Sequence, residues 1–257
     1  MRYGIPAALL FLISTLSASP ARALEPYVSV EAGIAARDVS EEGKDLAGFK
    51  FKGEAVTTRL LSRVGVDLDR FADVYFQGGG VDLSVDEFDN FDSNLEGAYG
   101  AGLRVNLYRS GYRDDLTVFA EGNWLRFTAN DKIQTLSCPL AGGCAGNEDA
   151  YLPRIADEKI TWNEYTALIG ASGRSEMGSL YGGIRLSFVD GKDKVRAGAD
   201  STFSEALRST LDLKEDDNFG LFFGVNLFLD RMEKSVVSLE ASLIDQDSFR
   251  VALRRYF

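Results

Sequence analysis

The sequence predicts an all-β fold: an antiparallel, up-and-down transmembrane β-barrel of about ten strands, within a range of eight to twelve. Three observations predict it. Apolar residues recur at every second position in one segment after another, the period of a strand with one apolar and one polar face. Most of these segments reach the ≈ 9–11 residues that a tilted strand needs to cross a bilayer. The connections alternate between long acidic loops and short, often basic turns.

Residues 1–23 read as an export signal. Arg2 supplies the positive start, 5–16 form an apolar run, and Ala21-Arg22-Ala23 fits a small-x-small cleavage site. The apolar run is shorter than the ~20 residues of a spanning helix. Residues 24–257 then form a single barrel domain.

The first strand is expected over 27–37, with Val28, Val30, Ala32 and Ile34 opposing Ser29, Glu31, Gly33 and Arg37. An acidic stretch, 38–52, reads as a loop. Residues 55–68 set Val56, Leu60, Val64 and Val66 against Thr57, Arg59, Arg63 and Asp67. In 71–85 the apolar parity is Ala72, Val74, Phe76 before three glycines and Val81, Leu83, Val85 after them. That shift of phase predicts a β-bulge at Gly78, Gly79 and Gly80. A second acidic loop follows over 86–94. Residues 95–108 alternate most cleanly, Leu95, Tyr99, Leu103, Val105 and Leu107 against Glu96, Gly100, Gly102, Arg104 and Asn106.

Residues 116–128 place Val118, Ala120 and Trp124 opposite Thr117, Glu121 and Asn123, and Arg126 breaks the pattern. A long loop, 133–158, holds Cys138 and Cys144, which an oxidising compartment would join in a disulfide. Strands over 159–173 and 179–190 form a hairpin. In the second of them Leu180, Ile184, Leu186 and Phe188 oppose Tyr181, Arg185 and Ser187. Residues 191–217 read as a charged loop, with a short helix possible over 201–213. Residues 218–229 are apolar on both parities, and 236–244 alternate with Glu240 on the polar side. A tight turn at 245–247 stands where the pattern calls for a long loop.

The last strand, 248–257, puts Phe249, Val251, Leu253 and Phe257 on one parity and Arg250, Ala252, Arg254 and Tyr256 on the other. Here the chain resembles the bacterial outer-membrane β-barrel proteins, whose final strand commonly ends in Phe after alternating apolar residues. The resemblance implies the outer membrane of a Gram-negative-type cell, with outer-membrane lipid around the barrel. It also implies that the barrel-assembly machinery is a partner, reading Phe249, Val251, Leu253 and Phe257. The apolar parity would face lipid, with Tyr99, Trp124, Tyr165, Phe188, Phe219 and Phe257 placed for interfacial girdles.

The polar parity would face inward. It carries Glu31, Asp67, Asp73, Asp82, Glu96, Glu121, Glu164 and Glu240, and Arg37, Arg59, Arg63, Arg104, Arg185, Arg250 and Arg254. Ten strands leave a narrow interior, and buried charges persist only when paired. A charge network plugging the lumen is therefore expected from Glu31, Arg59, Arg63, Asp67, Glu96, Arg104, Glu121, Arg185, Glu240, Arg250 and Arg254. A narrow porin-like channel for small solutes is the alternative.

The chain has no His and a net charge of −11. Without His the commonest acid–base group is missing, and no nucleophile motif stands in for it. A net negative charge argues against nucleic acid. Asp86, Asp89 and Asp92, or Asp212 with 215–217, offer hard oxygens, but their spacing suits no calcium loop and they read as solvated acids. The expectation is a non-enzymatic structural or surface-interaction protein with acidic outer loops. It would use no cofactor or metal and meet a surface ligand or a small solute.

Overall fold

The computed structural model describes residues 24–42, 50–68, 71–86, 91–110, 116–137, 152–199, 203, 206–215, 218–244 and 246–257. The export signal expected at 1–23 and the cysteines Cys138 and Cys144 lie outside them. The strands are β1 (Glu25–Glu42), β2 (Lys50–Asp67), β3 (Ala72–Val85), β4 (Phe91–Asp92), β5 (Glu96–Arg109) and β6 (Leu116–Ser137). They continue with β7 (Leu152–Arg174), β8 (Gly178–Ala197), β9 (Leu207–Glu215), β10 (Phe219–Phe228), β11 (Ser235–Leu243) and β12 (Asp247–Tyr256).

First and last strands close the sheet. β1 pairs with β12 from Tyr27↔Tyr256 to Ala36↔Asp247. The Phe257 amide donates to the Pro26 carbonyl at 3.0 Å. Closure leaves no free edge at this seam, which is the reason a barrel suits a solvent that cannot hydrogen bond.

The barrel has two levels. In the lower half, which carries Leu24 and Phe257, the ring is β1-β2-β3-β5-β6-β7-β8-β10-β11-β12. In the upper half β9 takes the place of three strands, pairing with β8 on one side and with β1 from Val39↔Glu215 to Glu42↔Asp212 on the other. The β11–β12 hairpin therefore ends inside the wall, beneath the β9–β1 seam. This accounts for its tight turn, where Ile244 adopts φ 90°, a conformation uncommon for a β-branched residue.

The two halves bury opposite faces of the same strands. Below, Val30, Ile34, Val64, Phe76, Leu103 and Phe223 point outward and are about half exposed or more. Above, the outward positions turn mainly polar and the inward ones mainly apolar, although Arg154, Glu158 and Asp193 are also buried inside. Val39, Ala55, Val81, Leu83, Phe91, Phe127, Ile160, Trp162 and Leu213 are buried in one continuous core inside the upper barrel. Phe127 and Trp162 stack at its centre, with ring centroids 5.8 Å apart.

This inversion corrects several sequence expectations. The glycine bulge does not occur: β2–β3 and β3–β5 keep an unbroken register through Gly78, Gly79 and Gly80. The apolar parity changes there because the strand passes from an apolar exterior to an apolar interior. The register shift that does occur lies in β5 against β6, between Asn106 and Tyr108. Arg126 marks the same crossing on β6, pointing outward beside the inward Leu125 and Phe127.

The stretches 38–52, 133–158 and 191–217 are not wholly loops. β1 and β2 extend into the first, β6 and β7 into the second, and β8 and β9 into the third. Charged outward residues disguised them as solvated loops. The helix considered over 201–213 is replaced, from Leu207 onward, by β9. Asp212 and Glu215 fall on opposite faces of that strand and cannot share an ion. Asp89 lies outside the described residues.

Candidate functional site in the barrel lumen

Inward side chains of the lower half form a stack of charge clusters. The uppermost centres on Glu164 of β7, whose side chain is almost wholly buried. It meets Arg37 of β1 at 3.1 Å, Arg59 of β2 at 2.7 Å and Arg185 of β8 at 3.6 Å. Arg37 also reaches Glu215 of β9 at 3.3 Å and donates to Gln246 at the β11–β12 tip. Five strands and a hairpin tip thus converge on one carboxylate and its three guanidiniums. Together these groups approximate the mutual satisfaction that buried charges require.

The next cluster joins Arg63 to Glu31 at 2.9 Å, and Arg250 to Glu31 at 3.3 Å and to Glu240 at 2.6 Å. Arg63 also donates through Nε to Gln77 at 3.1 Å, and Gln77 donates to Asn123 at 2.9 Å. Lowest, Arg254 faces Asp73 at 3.6 Å and lies over the Tyr27 ring at 4.4 Å.

A local device recurs three times in these clusters. Tyr27 lies across Gly65 on the next strand and donates to Asp73 on the strand after, at 2.8 Å. Tyr75 does the same across Gly102 to Glu121 at 2.8 Å, and Tyr181 across Gly224 to Glu240 at 3.1 Å. A Cβ at Gly102 would come within 2.2 Å of the Tyr75 ring. Glycine is required there because the ring occupies the space a side chain would take.

Of the residues expected in the network, Glu31, Arg59, Arg63, Arg185, Glu240, Arg250 and Arg254 stand in the ion pairs just described. Arg104 and Glu121 are cross-strand partners, and the Arg104 guanidinium lies over Phe119 at 3.6 Å. Asp67 sits at the lower mouth beside Asp73, its register partner. Glu96 lies apart: it is level with Val81 of the upper core, taking a hydrogen bond from Asn130 at 3.0 Å in an exposed position. It starts β5 where that strand has already left the charged layer, so its parity is shared but its height is not.

Glu215 and Gln246 escaped sequence reasoning because they stood in a presumed loop and turn. The signal that could have found Glu215 is the alternation of Leu211, Leu213 and Glu215 against Asp212 and Lys214.

Space in the lumen narrows upward. A cavity of about 530 Å³ opens at the lower mouth among Asp73, Arg104, Arg109, Arg174 and Arg254. Above it lie about 160 Å³ around Tyr75 and Tyr181, then about 70 Å³ around Arg59, Glu164 and Gln246. The apolar core of the upper half stands over the last. At the β10–β11 turn, outside the wall, backbone hydrogen bonding from Lys234 at 3.0 Å holds the Asp230 carboxyl below its ordinary range.

The outer face completes the picture. Trp124, Tyr165 and Phe188 are direct cross-strand neighbours, and Tyr99 meets Trp124 edge-on at 5.7 Å. With Phe219 they form an aromatic band at the level where the two halves meet. Phe249, Val251, Leu253 and Phe257 all lie exposed on the lower exterior.

By sequence the chain matches no established family, and no curated protein matches it either. In structure it is similar to the outer membrane protease OmpT from Escherichia coli, with a TM-score of 0.54 and 11% identity over 92% of this chain and 99% of that one. This is the outer-membrane β-barrel fold. A looser likeness, TM-score 0.41 at 9% identity, is to the translocator domain of autotransporter NalP from Neisseria meningitidis, over 97% of this chain and 94% of that one. The likeness to OmpT extends to the architecture of the outer-membrane barrel alone. The fold's two levels, aromatic band and terminal closure are the frame on which the charged lumen is hung.

Proposed function

We propose that the protein is a non-enzymatic barrel of the bacterial outer membrane that acts through its outer surface, its lumen shut to solutes. The observation that carries this reading is the double closure of the interior. Arg–carboxylate clusters cross the lower lumen and narrow it to about 70 Å³ at Glu164, and an apolar core that includes the stacked Phe127 and Trp162 occupies the upper one. A water-filled pore would need neither. The apolar belt and aromatic band support the membrane setting, with outer-membrane lipid against the belt. Reconstitution into planar bilayers is the test: the unmutated protein should give no steady single-channel steps. Large, regular steps would sink the closed reading and favour a small-solute channel fed from the 530 Å³ lower cavity.

Three further parts belong to the same proposal. Residues 1–23 direct export and are removed. Phe249, Val251, Leu253 and Phe257 are read by the barrel-assembly machinery. Deleting Phe257 should lower folded yield in cells while leaving refolding into detergent nearly intact; an undiminished yield in cells would refute that role. Cys138 and Cys144 form a disulfide, so thiol labelling of unreduced, denatured protein should find neither.

A further inference from the structure

The outer wall of the upper barrel is divided by charge. On β1 to β4, Asp38, Glu54, Asp82 and Asp92 face outward, with Lys52 among them, and Asp86 is exposed just beyond β3. On β6 to β9 the outward positions are mainly cationic. Nearest the aromatic band, Arg126, Lys192 and Lys214 have Asp190 and Asp212 beside them, and Lys192↔Asp212 and Asp190↔Lys214 are cross-strand pairs. Higher up the balance fails. Lys159 stands directly opposite Lys194, and Arg196 directly opposite Arg208. Like charges in direct cross-strand register destabilise a sheet. Two such pairs on neighbouring rows, in a chain of net charge −11, call for an outside anion.

The nearby acids do not supply it. Asp131 accepts the Asp92 amide at 2.9 Å. Glu158 is buried on the inward face. Asp157 is the register partner of both Lys132 and Arg196, one carboxylate between two cations. A cavity of about 790 Å³ adjoins the cluster, where Lys132, Lys159, Lys194 and Arg196 outnumber the same three acids, Asp131, Asp157 and Glu158, beside the amides of Asn94 and Asn130.

We infer that this surface is a docking site for an anionic polysaccharide, one carrying sulfate or phosphate groups along a hydroxyl-rich chain. Height excludes the bilayer's own phosphates as the occupant. Lys194 is six residues beyond Phe188 of the aromatic band on β8, roughly 20 Å along a strand rising 3.2–3.4 Å per residue, which is about 14–16 Å of height at a tilt of ~35–45°. The headgroup layer is only about 5–8 Å thick on each side. Single-stranded nucleic acid is disfavoured because, among the described residues, the lining holds no aromatic ring for base stacking. The Asn94 amide suits sugar hydroxyls, as does what remains of Asn130 beyond its bond to Glu96, and the lysines act as point charges that tolerate variable spacing. The inference deepens the surface-interaction reading and rests on it.

The test uses the full mature chain refolded in zwitterionic detergent and titrated calorimetrically. The probes are a sulfated hexasaccharide, a neutral dextran hexasaccharide and anionic phospholipid micelles. The sulfated probe should bind at low salt, lose affinity steeply as salt rises, and bind the double variant Lys159→Gln/Lys194→Gln at least ten-fold more weakly. Glu54→Gln on the opposite wall should bind as the unmutated chain does. The double variant should melt no lower than the parent, because it removes a repulsion. No binding at low salt, equal binding by the double variant, or a clear loss of its thermal stability would each overturn the site. So would variant-sensitive binding of the micelles without binding of the glycan. Bilayer conductance separates the two proposals: channel steps with glycan binding intact defeat only the closed-lumen reading, and a silent bilayer with no glycan binding defeats only the docking site.

Discussion

The lower and upper halves of this barrel are built from the same strands with their chemistry exchanged. Below the aromatic band the exterior is apolar and the interior is charged. Above it the exterior is charged and the interior is mainly apolar, with Arg154, Glu158 and Asp193 also buried there. β8 shows both in one run: Leu186 and Phe188 face out and Arg185 and Ser187 face in. Then Asp190 and Lys192 face out while Val189 faces in. Strand geometry is unchanged across the boundary. What changes is the surroundings, and the face that is buried against protein follows from it. The lower half has its apolar contact supplied from outside and can spend its interior on ion pairs. The upper half must make its own core.

The largest predicted effect tests the charged interior. Glu164→Ala leaves Arg37, Arg59 and Arg185 around an empty place, and breaking a buried charge cluster typically costs 3–5 kcal/mol or more. Urea unfolding in detergent should show it. A shift below about 1 kcal/mol would mean that water reaches this layer freely.

Next is the upper core. Trp162→Ala should cost roughly 3–5 kcal/mol, as large-to-small aromatic changes in a packed interior do. The loss should fall on the upper ends of β6, β7 and β8 in hydrogen exchange and spare the lower ring. Uniform loss along these strands would show that the halves do not behave as separate layers.

The outer faces give the smaller contrast. Leu103→Arg, in the lower belt, should cost roughly 2–4 kcal/mol if it faces the bilayer midplane. Lys192→Gln, at an outward position above the band, should stay within about 0.5 kcal/mol. Folding both variants into lipid vesicles and comparing their unfolding midpoints would decide. Equal costs would remove the membrane boundary from its place at Trp124, Tyr165 and Phe188.

Legibility followed the same boundary. In the lower half the alternation of β5, β8 and β12 was plain, and so were the inward arginines and acids, because apolar and polar residues there keep one parity each. In the upper half the same alternation continues with reversed sense. At Gly78 to Gly80 that reversal looks like a bulge, at Arg126 like a break, and over 191–217 like a loop. Glu215 was hidden for this reason, and Glu96 was assigned to a layer it does not reach. A strand's parity says which side chains share a face. It does not say how far up the barrel they sit.

The sequence by itself determined the strand period, the antiparallel barrel and the sign of each face in the lower half, since these depend on neighbours two residues apart. Only the tertiary structure decided that Glu164 collects three arginines from three strands. It alone decided that β9 closes the wall above the β11–β12 hairpin, and that the upper interior is a packed apolar core. Those features depend on register between distant strands and on where the surrounding medium changes, and neither is written in any local pattern of residues.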